Sequence, residues 1–206
     1  MPDPEIVEVD INEWQLRALT SAGLVACDIE TTGLDWATDQ IATCQIHSPM
    51  TGTFVARIGV NSPSNLCQLI ADPTTKKIFH HAPFDLRFMV SKWGVKPANI
   101  ACTKVASRLL DPYGDKSTHS LQSLLDRILG VQISKDQRLS NWQAVELSAE
   151  QLAYAAADVE YLIPLYKSLS SRLNKSGLSD LFAKCCSFLP THVDLQVRRW
   201  PDVFAH

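Results

Sequence analysis

The sequence predicts a mixed α/β fold, a sheet of about five strands flanked by helices, and three observations carry that reading. Three short strand-like segments joined by tight turns open the chain, at about 24–30, 41–47 and 53–58. Strand-like and helix-like segments then alternate from residue 62 onward. The run Ser48-Pro49-Met50-Thr51-Gly52 between the second and third segments is a hairpin signal, which makes the middle strand antiparallel.

Each element has a local reason. Asp10 reads as the N-cap of a first helix, with Glu13 completing a capping box and Gly23 stopping it. Leu24–Glu30 is a buried strand that runs into a Thr31-Thr32-Gly33 turn. After the hairpin, Ser62-Pro63 starts a short helix, with Ser as cap and Pro at its first position, ending near Ala71-Asp72-Pro73. A fourth strand covers 77–80, followed by a helix over about 83–93 that ends at Gly94. The fifth strand is 100–102, and a helix covers about 103–110. A helix capped by Ser117 or Thr118 runs to Gly130, and 131–147 is irregular. Ser148 and Gln151 form another capping box, opening one long helix to about residue 173 that Pro164 should bend. A last helix spans about 178–189, and a tail of about 190–206 follows.

Composition bounds the function. A chain of 206 residues suits one large domain, and its 46% apolar and 20% charged content is that of an ordinary soluble protein. The net charge of −3 argues against a broad basic surface for long duplex nucleic acid, though not against a local groove. The six cysteines (27, 44, 67, 102, 185 and 186) show no CxxC spacing and read as reduced core residues of a cytoplasmic protein. The start lacks a signal-peptide pattern, and no apolar run approaches the ~20 residues of a membrane span.

The chemistry begins at Asp28 and Glu30. Two residues apart on a strand, they point the same way, so each is costly to bury and repels the other. A hard divalent cation reverses that balance. Asp85 opens the helix after the fourth strand, near the edge where the first strand ends; the bland alternative is a first-turn aspartate favoured by the helix dipole. Tyr154 and Asp158 are four residues apart and share a helix face, with alanines between them that let another element approach. The alternative there is a core tyrosine beside a solvated aspartate. Four acids carry about −4, which two divalent cations, Mg2+ or Mn2+, would neutralise; such a pair, roughly 3.5–4 Å apart, suits phosphodiester hydrolysis. Tyr154 is then placed to orient the attacking water.

Asp28-x-Glu30-Thr-Thr-Gly-Leu, His80-x-x-x-x-Asp85-Leu86 and Tyr154-x-x-x-Asp158 resemble, in order and spacing, the three exonuclease motifs of the DEDD superfamily, Tyr subtype. Cys102–Ser107, Ile133-Ser134-Lys135, Ser140-Asn141-Trp142 and the tail with Phe188, Trp200 and Phe204 are similar to the short ribonuclease D-like bacterial enzymes, the nanoRNase C-like group above all. The resemblance implies a ribonuclease H-like fold in one domain, 1–206, and a two-metal 3′→5′ exoribonuclease. Its substrate would be short oligoribonucleotides, dinucleotides included, released as nucleoside 5′-monophosphates. It implies metal ligation by Asp28, Glu30, Asp85 and Asp158, and a water-orienting role for Tyr154. It also implies a homo-oligomer, an octameric ring, with the tail docking on a neighbouring subunit. Asn141 departs from the family's Ser-Asp-Trp, Val145-Glu146 stands where ribonuclease D often has Arg-Pro, and no helical RNA-binding domain follows. These departures favour short single-stranded RNA over structured RNA.

For substrate, Leu34 is a candidate wedge between the last two bases, its alternative being a loop leucine packed on the first helix. The Thr31 and Thr32 main chain or hydroxyls would meet the terminal 3′-hydroxyl. His80, with His81 and Phe84 beside it, would stack on bases or contact phosphate. Trp142 would stack on a base or anchor its loop to the core, with Lys135 and Arg138 near phosphate. The alternatives are a 3′→5′ DNA exonuclease, tRNA 3′ processing of the ribonuclease D kind, and a catalytically idle nucleic-acid-binding module.

Overall fold

The structure is a computed structural model that describes residues 3–134, 137 and 140–205. The elements follow in the order β1 (Glu5–Glu8), α1 (Glu13–Ala22), β2 (Leu24–Thr31), β3 (Ile41–Ser48), β4 (Gly52–Arg57), α2 (Ser64–Ala71), β5 (Lys76–Phe79), α3 (Ala82–Trp93), β6 (Ile100–Cys102), α4 (Thr103–Leu110), a short 3-10 turn at Lys116–His119, α5 (Leu121–Leu129), α6 (Ala149–Glu160), α7 (Leu162–Lys175) and α8 (Ser179–Val197). They form one sheet, ordered β1-β4-β3-β2-β5-β6, with helices packed on it. The expected α/β class with a mixed sheet stands, with a sixth strand added.

That strand, β1, pairs parallel with β4 at the sheet's edge. It is four residues long and begins and ends on glutamate, the short, charged form that edge strands take. Those features leave no alternating apolar pattern to read.

β2 holds the centre. On one side it pairs antiparallel with β3 from Ala26 to Thr31; on the other, β5 runs parallel to it over Leu24–Ala26 only. Beyond Ala26 that flank has no strand partner, and the chain leaving β5 turns into α3 there. A register shift between Glu30 and Thr31 re-aims the end of β2, as bulges beside functional sites do. α6 lies over β2, β3 and β4. Its C-terminal end is tied to the sheet by the Thr53 hydroxyl, which donates to Glu160 at 3.1 Å, while His47 Nδ1 meets the same hydroxyl at 2.9 Å. On the opposite sheet face Cys27, Ile29, Cys44, Ile46 and Phe54 are buried in the main core. All six cysteines are free thiols, four of them buried.

Several boundaries differ from expectation, each for a contact the local sequence does not contain. Asn12, not Asp10, caps α1, in a reciprocal capping box with Gln15. Asp10 is used across space: its carboxylate accepts from the amides of Asn65 (2.7 Å) and Leu66 (3.0 Å) and so caps α2, whose own cap position, Pro63, offers no side-chain acceptor. Ser120, not Ser117 or Thr118, caps α5, because those two lie in the preceding 3-10 turn. The single helix expected over 149–173 is two, broken at Tyr161. Pro164 sits in the first turn of α7, where a missing N–H costs nothing, and its ring opposes a carbonyl at Glu160 in any continuous helix. α8 continues through Pro190 to Val197, so half of the expected tail is helix. No helix among the described residues is long and apolar enough to cross a membrane.

Asp10→Ala removes two acceptors from the start of α2 and should cost about 1–2 kcal/mol, the usual loss for an N-cap. For a domain of this size the melting temperature should fall by roughly 2–8 °C, while Ser62→Ala leaves it nearly unchanged; differential scanning fluorimetry of the two variants reads the difference.

Candidate active site

Asp28 and Glu30 occupy the last turns of the pleat in β2, on the face that α6 covers. Their cross-strand neighbours are Gln45 and Thr43, which share that face and are buried. Asp158 reaches the pair from α6. Asp28, Glu30 and Asp158 can each present one oxygen such that all three lie within 4.8 Å of one another. Asp85, from the first turn of α3, is 3% exposed and sits beside this trio rather than within it. The Ile29 amide points at its carboxylate, along the flank of β2 that β5 leaves open.

The electrostatics are those of crowded, desolvated acids. Burial, then the charges of Asp85, Asp158 and Glu30, hold Asp28 well above the usual carboxylate range. Burial drives Asp85 up to about 8, with main-chain amides opposing it. Burial lifts Asp158 to about 7, and the Tyr154 hydroxyl beside it pulls the other way. Tyr154 is itself pushed well above the ordinary phenol value by burial and by Asp158, Glu30 and Asp28. It is therefore a hydrogen-bond donor, not an anion. A set of carboxylate oxygens this close, with Asp28, Asp85 and Asp158 disfavoured as charges, fits a hard divalent cation.

These groups form the floor of a cleft of about 600 Å3. Leu34 stands 82% exposed at its wall, so it does not pack on α1. The turn that presents it is tied down: the Thr31 hydroxyl donates to the Gly33 carbonyl, and Asp39 accepts from the Asp35 amide at 2.8 Å. A Cβ on Gly33 would meet the Asp39 carboxylate, so any larger residue there would displace the side chain that accepts from the Asp35 amide. Because the Thr31 proton is spent inside the turn, the main chain and remaining lone pairs are what it offers a ligand. Phe84 lines the cleft and leans on Phe88 at 5.2 Å between ring centroids.

The remaining expected contacts fare differently. His80 lines the cleft but is fixed from behind, Nδ1 meeting the Thr103 hydroxyl at 2.9 Å. Its Nε2 is buried, and the His119 main chain interacts with the ring. Burial, then Lys104 and His81, push it down to about 3, so it is neutral and cannot act as a cation toward phosphate. Trp142 is 4% exposed, in a small core with Ala42, Val55 and Ala155, and offers no free face to a base. Its ring lies 6.0 Å from that of Tyr154. Lys135, with Arg138, lies outside the described residues.

The cleft also holds residues the sequence reading did not assign to it: Lys104, Ser120, Gln122 and Ser140. Lys104 was within reach. It lies in the first turn of α4, directly after β6, and helices that follow parallel strands begin at one sheet edge, the rule that placed Asp85. Gln122 and Ser140 come from segments whose position depends on tertiary packing.

Residues 8–174 match a family model described as 3′-5′ exonuclease. The structure of Brucella melitensis NrnC with bound Mg2+ is 34% identical and superposes with a TM-score of 0.90, covering all of both chains. The same protein bound to pGG is 36% identical, also at 0.90 and over all of both chains. Ribonuclease D from Acidiphilium cryptum is 37% identical over 116 residues, 56% of this chain and 29% of that protein, so this chain spans less than half of that relative.

The raised acids give the metal-free protein a defined pH dependence. Their folded values, about 8 for Asp85 and about 7 for Asp158, lie above the ordinary value near 3.8. Stability is therefore fully present below about pH 4 as far as these groups go, and is lost as pH rises toward 8. After chelation the melting temperature should fall between pH 5 and pH 8, and added Mg2+ should raise it more at pH 8 than at pH 5. A metal response independent of pH would contradict the assignment.

Proposed function

This chain belongs to the 3′-5′ exonuclease family, and from that premise we propose that it hydrolyses short oligoribonucleotides from the 3′ end, dinucleotides included, using two divalent cations, Mg2+ or Mn2+. The products are nucleoside 5′-monophosphates. The observation that carries the reading is the meeting of Asp28, Glu30 and Asp158 within 4.8 Å, with Asp85 buried beside them.

Asp28, Glu30 and Asp158 would hold one cation, and Asp85 with Asp28 the other. Bound there, such ions supply an activated water and stabilise the charge that develops on phosphorus and on the departing 3′-oxygen. The chain's own groups do the rest. The protonated Tyr154 hydroxyl, beside Asp158, orients the water for in-line attack. The Thr31–Gly33 turn meets the 3′ end through its main chain, and Leu34 wedges against the last base step. Phe84 offers a ring to a base, and Lys104 offers a cation to phosphate at the far wall.

The size of the cleft, about 600 Å3, is that of a small-ligand site and supports a substrate of a few nucleotides. The pGG complex of the Brucella melitensis relative supports the same scale. A cytoplasmic setting is consistent with six free thiols. The reading extends to a homo-oligomer, an octameric ring as the family resemblance implies. Trp200, Val203 and Phe204 remain exposed and are its docking residues; a lone protomer in sedimentation at micromolar concentration would remove that part.

Asp28→Ala or Asp158→Ala should abolish Mg2+- or Mn2+-dependent hydrolysis with the fold intact by circular dichroism, and near-normal turnover in either would refute the mechanism. Tyr154→Phe should slow the chemical step about a hundredfold, the scale of lost proton management, with little change in binding. Timed digestion of 5′-labelled RNA of two to twenty nucleotides, beside matched DNA, should show 3′→5′ shortening, preference for the shortest RNA and weaker action on DNA.

A further inference from the structure

Tyr154 orients water only if its ring is held still, and the ring's neighbour is Trp142, at 6.0 Å between centroids. Trp142 comes from a segment with no regular hydrogen-bonded ladder, 140–147, so something outside that segment has to fix it. Gln151 does so. It is buried at the start of α6, one turn before Tyr154, and each of its polar atoms has a separate use. Its Oε1 accepts from the Ser148 amide at 2.9 Å and its own amide donates to the Ser148 hydroxyl at 3.2 Å, which completes the helix cap. Its Nε2 donates to the Ser140 hydroxyl at 2.9 Å and to the Asn141 carbonyl at 3.1 Å. Ser140 is in the cleft wall, and Asn141 directly precedes Trp142.

We propose that Gln151 is a positioning residue for catalysis: its side-chain amide clasps residues 140–142 to α6, and through Trp142 it sets the Tyr154 hydroxyl over the carboxylates. Two anchors hold the segment from either end, since Arg57 donates to the Ala144 carbonyl at 3.1 Å. Only the Gln151 clasp lies on the side of Trp142 that meets the cleft. One side chain thus joins the helix cap to the site. The inference rests on the proposed role of Tyr154 and goes beyond it by naming what holds that residue in place.

The two jobs of Gln151 can be separated chemically. Gln151→Glu keeps the oxygen that accepts from Ser148, and a carboxylate in a first helical turn is favourable. It replaces the donor Nε2 by an acceptor, which faces the Asn141 carbonyl and cannot bond to it. Ser148→Ala does the converse, weakening the cap while leaving the clasp. With Mg2+ and a short RNA, Gln151→Glu should lower kcat by between about ten- and a hundredfold with KM within threefold, the scale of a small misplacement of a reacting group. Its melting temperature should stay at or above that of Ser148→Ala, whose kcat should be close to that of the unaltered protein. In a Tyr154→Phe background, Gln151→Glu should cost less than threefold more, because no hydroxyl remains to be placed. The proposal is overturned if Gln151→Glu retains full kcat, or if its loss persists undiminished in the Tyr154→Phe background. Those outcomes leave the reading of the acids standing, whereas an active Asp28→Ala or a Tyr154→Phe of unaltered kcat strikes that reading itself.

Discussion

The repulsion among four desolvated carboxylates is the constraint on which this fold is arranged. Left to themselves, Asp28, Glu30, Asp85 and Asp158 oppose the closing of α3 and α6 onto β2, and the charged forms of Asp28, Asp85 and Asp158 are disfavoured there. Elements that carry like charges toward one point must be tied down elsewhere. α6 is tied at both ends: Gln151 fastens its first turn to residues 140 and 141, and Glu160 accepts from Thr53 at its last. α3 is fixed by packing along α8 and by the Ile29 amide aimed at Asp85. The apolar core on the other face of the sheet resists the strain, and on the reading proposed above cations would relieve it.

The cleft follows from an asymmetry in the sheet. β3 accompanies β2 to its end, whereas β5 leaves it after Ala26. The abandoned flank of β2 keeps main-chain groups that no strand satisfies, and buried amides need partners. α3 supplies one through Asp85, and the same geometry places His80, Phe84 and Lys104 around the opening. His80 and Trp142 have the chemistry of base-stacking residues but have been drawn into the framework. One is held by Thr103 and neutral, the other is packed beneath Tyr154.

What the sequence made legible was whatever depends on near neighbours along the chain. The alternation of β2, the Ser148/Gln151 cap and the four-residue step from Tyr154 to Asp158 are periodicities of two and of about 3.6, and Asp28, Glu30, Tyr154 and Asp158 follow from them, whereas Asp85 needed the rule that a helix after an inner strand starts near the same sheet edge. The misreadings share a different cause. Asp10 looks like the cap of the helix that follows it, and is the cap of one more than fifty residues on. For Trp142 the polar stretch left base stacking and anchoring to the core both open, and only the approach of β3, β4 and α6 shows it buried. β1 has no hydrophobic pattern because an edge strand does not require one. Pro164 marked an interruption correctly, but whether proline bends a helix or starts a new one depends on where the preceding carbonyls find partners.

α6 shows why motif spacing alone carried so much. Gln151, Tyr154 and Asp158 are separated by three and four residues, so they lie along one face of a single helix. On the readings proposed above, that face carries in sequence a clasp to the cleft wall, a hydroxyl for the water and a ligand for the cation. A helix is rigid over three turns, so the relative placement of these groups is set by backbone geometry and not by loops. Alanines 155 and 156, buried between them, let the helix lie close on the sheet that carries Asp28 and Glu30. The short spacing is therefore itself a structural device: it converts a local periodicity into the distance between α6 and β2 that brings Asp158 to Asp28 and Glu30.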